Sequence, residues 1–397
     1  MGLQSRNWET RDDKLLIISS EGPGHLYGGV GRHVSEILPR LAKRRPTQLI
    51  CVPSYCLREP PRTPLVRVDP DQKVITLYDP NHVGTLRKNP FELDRYDRAA
   101  DRLTEAVLPY LPDRMEALLL EDHYDTGLAL RLADTLSVSR LVVFTHLPLS
   151  ARFSYFDKGA DEERQQVLEA AALLSADTVL VPSKAAQRTV SSVYPLAPDR
   201  VRVAPLGAAS IKKEDLDLEN RPSRIVTIGR FSEQKGWSTY LSVVEQVELH
   251  GFTPVWSLIG EGPLRGIVLE RLHDLVPKER IKWVDHLDPL HEMPDELARS
   301  AVFFLPSAHE TFGLAALEAA AAGAVPILAN VGAIPELWGD KAVLFEPGAV
   351  DLAATKIELF LKDPPYRIAA ARTAWQWARR FDWDTHVELL ETFCFDV

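Results

Sequence analysis

Residues 302–323 read VFFLPSAHETFGLAALEAAAAG, and the order of residue types in this stretch indicates the local fold. The four apolar residues from Val302 to Leu305 are long enough for a buried strand, which a Pro-Ser pair then ends. From Gly313 the sequence is rich in Ala and Leu, which favour a helix, and Gly323 supplies its stop. The stretch therefore predicts a strand, a short loop and the amino end of a helix.

The start of this predicted helix is a candidate phosphate site. The first turn of a helix has unpaired backbone N–H groups and carries the positive end of the helix dipole. Two carboxylates, Glu310 and Glu318, lie at this anion site, and they do not form a simple surface charge pattern. Sugar hydroxyls would be suitable partners for both. The plainer alternative is an ordinary α/β loop with a solvated glutamate and a capping glutamate.

The run from Glu310 to Leu314, followed by Glu318, resembles the Glu-x7-Glu signature of the family 4 retaining glycosyltransferases, which include relatives of bacterial glycogen synthase. This resemblance implies the GT-B fold, an α/β architecture of two Rossmann-like domains with a cleft between them. It also implies that Glu310 and the amides after it hold the transferred sugar, while Glu318 binds the ribose of the nucleotide. The donor-binding residues assigned here are Thr311, Phe312, Gly313, Leu314 and Glu318.

Length and composition agree with a two-domain globular protein. The chain has 397 residues, of which 45% are hydrophobic and 26% charged. A net charge of −10 argues against a nucleic-acid partner, which would require a basic surface. No apolar run reaches membrane-spanning length, the amino end does not resemble a signal peptide, and three cysteines are an odd count typical of reduced thiols. We therefore expect a cytoplasmic protein without integral membrane association.

The densest basic cluster consists of Arg40, Lys43, Arg44 and Arg45, at the end of a predicted helix. We interpret these residues as C-terminal helix charges in solvent. Contact with a membrane surface or with an anionic acceptor is the alternative.

The amino-terminal segment predicts a Rossmann-like unit, with a buried strand at 14–20, a glycine-rich loop at 21–31 and a helix at 30–43. Its dinucleotide fingerprint is incomplete, because Val34 stands where a third Gly or Ala belongs and no acidic residue follows the second strand. A nicotinamide dehydrogenase is therefore the weaker hypothesis. The loop resembles the Gly-Gly loop of family 4 enzymes, which implies that Gly28 and Gly29 approach the donor phosphates and the acceptor. A tight turn without a ligand is the alternative.

Two further loops follow predicted strands of the first half. Asp122 and His123 lie in a segment that resembles the His-Asp-Trp segment of the glycogen synthase branch, which places them on the acceptor side. A purely structural, hydrogen-bonding histidine is equally compatible with this segment. His146 follows the strand at 140–145, and the carboxyl ends of parallel strands face the ligand crevice. The resemblance implies that His146 approaches the donor sugar.

The second half begins after a polar linker at 208–223 with a strand at 224–228. The next residues, Gly229 to Gly236, resemble the Gly-Arg-x4-Lys-Gly element of the family. Arg230 and Lys235 are then spaced to reach a leaving diphosphate, with a solvated loop as the alternative. We expect a first domain at 1–207, a donor-binding domain at 208–379, and a final helix at 380–397 that packs back on the first domain.

Together these features predict a retaining transferase that moves a sugar from a nucleotide diphosphate sugar to a small-molecule, saccharide or natural-product acceptor. The mechanism implied by the resemblance is front-face displacement. No cofactor or metal is expected, because the three Asp-x-Asp pairs lie in Pro-rich, linker or terminal sequence and fixed cations are present instead. The catalytic residues assigned are His146, Arg230, Lys235 and Glu310.

Three alternatives share parts of this pattern. A phosphorylase or a nucleotide-sugar epimerase on the same fold would keep the phosphate-binding residues and change the acceptor side. A non-catalytic sensor of sugar nucleotides would more plausibly have lost His146 or Glu310. The motifs do not distinguish one nucleotide base, sugar, acceptor or oligomeric state from another.

Overall fold

The computed structural model describes residues 14–23, 28–53, 65–69, 71, 73–78, 93–149, 160–208, 216–288 and 292–395. The chain divides into two compact units. The first unit comprises Met1–Pro182, Ala186–Ala204 and Trp383–Val397, and the second comprises Ser183–Ala185 and Pro205–Asp382. Across the described residues, no helix combines the length and the apolar character needed to cross a membrane.

The first unit is built on an eight-stranded sheet in the order β3-β4-β2-β1-β5-β6-β7-β8, parallel except for the β3–β4 pair. Its strands are β1 (Leu15–Ser19), β2 (Thr47–Cys51), β3 (Leu65–Asp69), β4 (Val74–Tyr78), β5 (Ala117–Glu121), β6 (Arg140–Phe144), β7 (Thr178–Val181) and β8 (Val201–Val203). The helices connecting them are α1 (Gly29–Arg44), α2 (Leu93–Val107), α3 (Thr126–Thr135), α4 (Ala160–Ser175) and α5 (Lys184–Val193).

The central strands of this sheet are buried along their whole length. All five residues of β1 and of β5 are buried, as is expected for parallel strands covered by helices on both faces. The register aligns Ser19 with Glu121 and Glu121 with Phe144. The carboxyl ends of β1, β5 and β6 therefore lie side by side, and the loops that follow them share one edge of the sheet.

The second unit has a six-stranded, fully parallel sheet in the order β11-β10-β9-β12-β13-β14. Its strands are β9 (Arg224–Ile228), β10 (Val255–Ile259), β11 (Ile281–Val284), β12 (Val302–Leu305), β13 (Val325–Ala329) and β14 (Val343–Phe345). Its helices are α6 (Trp237–Leu249), α7 (Arg265–Leu275), α8 (Glu292–Ala298), α9 (Leu314–Ala321), α10 (Ile334–Trp338), α11 (Val350–Lys362) and α12 (Pro364–Ala378). The strand β12 neighbours β9, so the two loops that carry the phosphate-site candidates leave adjacent strands.

The last helix, α13 (Trp383–Phe395), belongs to the first unit and contacts α1, β5 and β6. Arg44 contacts Glu391 and Glu388 at 2.8 and 3.2 Å, and Arg45 contacts Glu391 at 2.9 Å. Interpreting this basic cluster as charges facing only solvent is therefore wrong for these arginines. They are also committed to partners within the protein, which makes a second anionic contact a weaker alternative.

One strand was not predicted. The sequence of residues 58–89 predicts a single strand, at 74–78, but β3 also forms and pairs antiparallel with β4 at the edge of the sheet. A five-residue edge strand covered on only one side does not need the continuous apolar run that marks the central strands. Of the cysteines, Cys51 and Cys394 are buried, and Cys56 lies outside the described residues.

Candidate active site

The second unit brings the loops after β9 and β12 into close contact. A short 3-10 helix, Glu233–Lys235, follows β9, and Gly236 then takes a left-handed backbone with φ of 67°. A Cβ atom on Gly236 would lie 1.9 Å from the carbonyl oxygen of Pro306. Only glycine allows the backbones at Gly236 and Pro306 to come this close. This contact places Lys235 beside the loop that contains Glu310.

Lys235 and Glu310 form an ion pair. The Lys235 Nζ donates to Glu310 Oε1 at 2.6 Å, and the Ser307 Oγ donates to the same oxygen at 2.7 Å. The side chains are 21% exposed for Lys235 and 8% for Glu310. The backbone of Glu310 is also fixed, because its carbonyl accepts the amide of Ala333 at 2.8 Å. Two residues predicted separately from two motifs therefore form one rigid unit.

Arg230 lies in the same loop as Lys235 but has a different environment. Its side chain is exposed, and its carbonyl oxygen accepts the indole N–H of Trp237 at 3.0 Å. Among the described residues we find no ion pair or hydrogen bond of its guanidinium. The loop thus combines a fixed backbone with a charged, exposed side chain that a ligand anion could reach. Gly229, at the start of this loop, has the stem of Lys235 packed over it.

The loop after Glu310 leads into α9. Gly313 caps this helix with φ of 83°, and Leu314 is the first helical residue. Phe312 is buried and makes an edge contact with Phe381 at 6.0 Å between ring centroids, so its side chain belongs to the core. The main chain of Phe312 is therefore the part that could face a ligand. Thr311, Leu314 and Glu318 are half-buried.

In the first unit, the glycine loop closes on a carboxylate. The Glu21 Oε2 accepts the amides of Gly28 at 2.8 Å and Gly31 at 2.9 Å. These amides belong to the loop expected to approach the donor phosphates, so an incoming anion would compete with Glu21 for them. A Cβ atom on Gly29 would meet no atom within 4 Å, so space does not require glycine at this position. Residues 24–27 of this loop lie outside the described part of the chain.

Asp122 and His123 have different roles in the structure. Asp122 is buried with φ of 60°, which is unusual for a residue other than glycine, and its carboxylate accepts the amide of His146 at 2.9 Å. Burial raises the pKa of Asp122 to about 6. The His123 ring lies 4.3 Å from the Tyr124 ring at a tilt of 34°, and the His123 carbonyl accepts the Thr126 hydroxyl at the start of α3. Asp122 therefore fixes the loop of His146, whereas the carbonyl of His123 holds the start of α3.

The sequence analysis missed a buried cluster behind His146. The Nε2 of His146 lies 2.7 Å from Glu121 Oε2, and the Nδ1 of His33 lies 3.1 Å from the same oxygen. The Nε2 of His33 in turn lies 2.7 Å from the Nε2 of His386 on α13. Phe144 stacks on the His146 ring at 4.4 Å. These residues hold His146 from several sides.

The ionisation states of the cluster follow from its geometry. Burial opposes ionisation of Glu121, but the hydrogen bonds and charges of the two imidazoles outweigh it and lower the pKa of Glu121 to about 2. Burial also lowers the pKa of His33. Burial also acts to lower the pKa of His146, but the hydrogen bond and the charge of Glu121 outweigh it and raise this pKa above its ordinary value. The arrangement therefore favours an ionised Glu121 with a readily protonated His146.

Within the described residues, one group has enough close ligand atoms to be considered for a metal ion: His33, Glu121 and His146, whose ligand atoms lie within 4.8 Å of one another. Three ligands around a tetrahedral zinc ion, each at ~2.1 Å from it, are ~3.4 Å apart. The two short contacts here, 2.7 and 3.1 Å, instead match hydrogen bonds from imidazole N–H groups to a carboxylate.

The predicted residues thus fall into two groups, each at the carboxyl edge of a parallel sheet. The first unit contains Gly28, Gly29, Asp122, His123 and His146, and the second contains Gly229, Arg230, Lys235, Glu310, Thr311, Phe312, Gly313, Leu314 and Glu318. Glu121 could have been found as a charged residue that ends an otherwise apolar strand, Ala117–Glu121. His386 offered no such signal.

Comparison with known proteins assigns the two units to glycosyltransferases of the GT-B fold. The model for "Glycosyltransferase Family 4" matches residues 27–209, and the model for "Glycosyl transferases group 1" matches residues 209–377. The two matches together span residues 27–377, and the chain belongs to glycosyltransferase family 4.

Three relatives illustrate the range of this similarity. The chain is 25% identical over 351 residues to the alpha-maltose-1-phosphate synthase of Mycolicibacterium smegmatis, covering 82% of each chain. Its fold is similar to that of the sucrose-phosphate synthase of Thermosynechococcus elongatus, with a TM-score of 0.74, 18% identity, and coverage of 96% of this chain and 98% of that one. A UDP-forming α,α-trehalose-phosphate synthase from Burkholderia xenovorans, in complex with glucose-6-phosphate, gives a TM-score of 0.74, 14% identity, and coverage of 96% and 99%.

Proposed function

We propose that this glycosyltransferase is a retaining enzyme that takes its sugar from a nucleotide diphosphate donor bound mainly by the second unit. The observation that carries the proposal is the Lys235–Glu310 ion pair, which joins the loops after two neighbouring central strands. One loop of this pair also presents the exposed Arg230. Cations beside a well-held carboxylate suit a ligand that has both phosphates and sugar hydroxyls.

The roles of these residues follow from where charge develops. Negative charge accumulates on the departing diphosphate, so fixed cations near it stabilise the transition state more than the ground state. Arg230 offers a planar fork of N–H donors, and Lys235 offers a compact ammonium. Glu310 accepts hydroxyls of the transferred sugar, and Glu318 accepts those of the ribose. No divalent metal is needed in this scheme.

The proposed mechanism is front-face displacement through an oxocarbenium-like state. Glu310 is committed to Lys235 and Ser307 through one oxygen, an arrangement that suits binding rather than attack on carbon. The site residues described above do not support the mechanism of a hydrolase that uses two carboxylates. His146, which Glu121 makes readily protonated, then acts as a hydrogen-bond donor beside the donor sugar. Asp122 and the first unit provide the acceptor side.

The acceptor is proposed to be a small molecule or a saccharide. All three relatives above are named for sugar phosphates, so hexose phosphates and the matching free hexoses should be the first acceptors tested. A clear preference for the phosphate would define the acceptor class. Transfer to the free hexose alone would direct the search to neutral saccharides.

Nucleotide binding is the first test. Thermal-shift titrations with the diphosphates of uridine, guanosine, adenosine and thymidine should identify one that stabilises the protein by several degrees. Arg230→Ala should raise, roughly tenfold or more, the diphosphate concentration that is needed for half of this stabilisation. Arg271→Ala is the matched control, because Arg271 is an exposed arginine of the same unit whose partner is Asp274, three positions along the same helix. Equal titration curves for both variants and the wild type would contradict the donor site.

The reaction itself is the second test. The first product formed from the matching nucleotide sugar and the acceptor should keep the anomeric configuration of the donor, as followed by NMR. Inversion would exclude the retaining assignment. Conversion of the donor to an isomeric sugar without any acceptor would identify an epimerase, and reversible attack by inorganic phosphate on a saccharide would identify a phosphorylase.

A further inference from the structure

A chain of buried hydrogen bonds connects the last helix of the protein to His146. It runs from His386 on α13 to His33 on α1, at 2.7 Å between the two Nε2 atoms. It continues from His33 Nδ1 to Glu121 Oε2 at 3.1 Å and from that oxygen to His146 Nε2 at 2.7 Å. His33 and Glu121 are fully buried, and His386 is 1% exposed. Water has little access to any link before His146.

The acceptor chemistry of Glu121 determines where the protons lie. An ionised carboxylate only accepts hydrogen bonds, so His33 must donate from Nδ1 and His146 must donate from Nε2. A neutral His33 then has an unprotonated Nε2, which accepts a hydrogen bond from the Nε2–H of His386. The cluster thus assigns one tautomer to each ring. It leaves Nδ1 as the nitrogen of His146 that Glu121 does not engage.

Two further contacts restrict the His146 ring and its backbone. Phe144 stacks on the ring with an interplanar angle of 22°, and the amide of His146 donates to Asp122. Glu121 Oε1 is buried without a hydrogen-bond partner among the described residues, so Oε2 alone holds both imidazoles. Moving His33 away would therefore disturb the oxygen that, among the described residues, holds the His146 imidazole.

We propose that His386 and His33 are positioning residues that act through Glu121 to fix the tautomer and the orientation of the His146 imidazole. This inference rests on the proposed function, in which His146 acts beside the donor sugar. It gives the carboxyl-terminal helix a role in the reaction, because α13 supplies the first link of the chain.

The first measurement is spectroscopic and requires no turnover. In ¹⁵N-labelled protein, imidazole correlation spectra distinguish a protonated ring nitrogen from an unprotonated one, and the spectrum of His146→Gln identifies the His146 signals. At a pH at which His146 is neutral, the wild-type protein should show this ring protonated at Nε2 and unprotonated at Nδ1. His386→Phe keeps a ring but removes the donor, and it should produce a mixture of His146 tautomers. His386→Gln keeps an N–H donor near the position of Nε2, and it should retain the wild-type pattern.

The second measurement is kinetic, with the donor and acceptor established above. His386→Phe should lower kcat roughly tenfold with little change in KM, as expected for loss of one orienting hydrogen bond. His386→Gln should restore most of the rate. His250→Phe is the matched control, because His250 also hydrogen-bonds a glutamate, Glu358 at 2.7 Å, but lies in the second unit. It should leave kcat unchanged.

The possible outcomes distinguish failure of the positioning role from failure of the proposed function. Identical His146 spectra in the wild type, His386→Phe and His386→Gln would overturn the positioning role even if the enzyme is a retaining transferase. Altered spectra in His386→Phe alone would support it even if the transfer test fails. One equivalent of zinc per purified chain, lost in Glu121→Gln, would also overturn it, because the same three side chains would then be metal ligands.

Discussion

Replacing Lys235 with methionine tests the ion pair on which the donor site depends. Methionine keeps the aliphatic stem that packs over Gly229 and removes only the ammonium. Glu310, whose side chain is 8% exposed in the wild type, would lose the ammonium and keep the Ser307 hydroxyl as a donor to Oε1. The variant should therefore lose stability as well as activity.

The size of each loss follows from the geometry. At 2.6 Å, and with an effective dielectric constant of ~20, the attraction between the two charges is about 6 kcal/mol before desolvation is counted. Desolvation of both groups offsets most of it, which leaves a net loss of ~2 kcal/mol on removing one partner. In the transition state, loss of a charged contact to the diphosphate should cost ~3 kcal/mol, or roughly a hundredfold in kcat/KM.

The double variant Lys235→Met/Glu310→Gln separates these two effects. It removes the uncompensated carboxylate, so denaturant unfolding should show stability close to that of the wild type while kcat/KM stays low. Arg280→Met is the control for breaking an ion pair elsewhere in the unit, since Arg280 contacts Glu248 at 2.6 Å and the two side chains are 20% and 13% exposed. It should lower stability and leave kcat/KM intact. A Lys235→Met variant with kcat/KM within twofold of the wild type would refute the assigned role.

Three further predictions concern pH, backbone and metal. Burial raises the pKa of Glu169 from 4.5 to about 7, so the free energy of unfolding should fall as pH rises from 4.5 through 7, by on the order of 3 kcal/mol in total. Glu169→Gln should therefore raise the melting temperature at pH 8 but not at pH 5. Gly236→Ala should destabilise the protein by ~3 kcal/mol in urea unfolding, because its Cβ would meet Pro306, whereas Gly251→Ala, with φ of 84° and open space, should cost only ~1 kcal/mol. Transfer should proceed at full rate after chelator treatment, and a loss reversed by magnesium or manganese would contradict the metal-free scheme.

The parts of the structure that were predictable are those with a local cause. Central parallel strands need apolar side chains on both faces, so β1 and β12 stand out in the sequence as unbroken apolar runs. The loop after each strand could be located, and the parallel arrangement placed those loops at one edge. The contact between Lys235 and Glu310 follows from this arrangement once β9 and β12 are neighbours.

The contacts that escaped prediction depend on where distant segments meet. His33 and His386 are 353 positions apart, and each taken alone is a histidine in an amphipathic helix. Their contact exists because α13 returns to pack on α1 and β5. The pairing of Arg44 with Glu388 and Glu391 has the same origin. The resemblance leads us to expect that the final helix returns to the first domain, but no local pattern shows which side chains meet there.

In each unit a buried glutamate holds a side chain that we propose to be functional. The number of N–H donors on that side chain determines what remains for a ligand. In each case a single carboxylate oxygen accepts two donors: Lys235 and Ser307 on Glu310, and His33 and His146 on Glu121. A lysine ammonium has three N–H donors, so the bond to Glu310 leaves two for an anion. An imidazole has only one ring nitrogen beyond the one held by its carboxylate. Pairing with a carboxylate therefore does not remove Lys235 from phosphate binding, whereas it restricts His146 to a single contact at Nδ1.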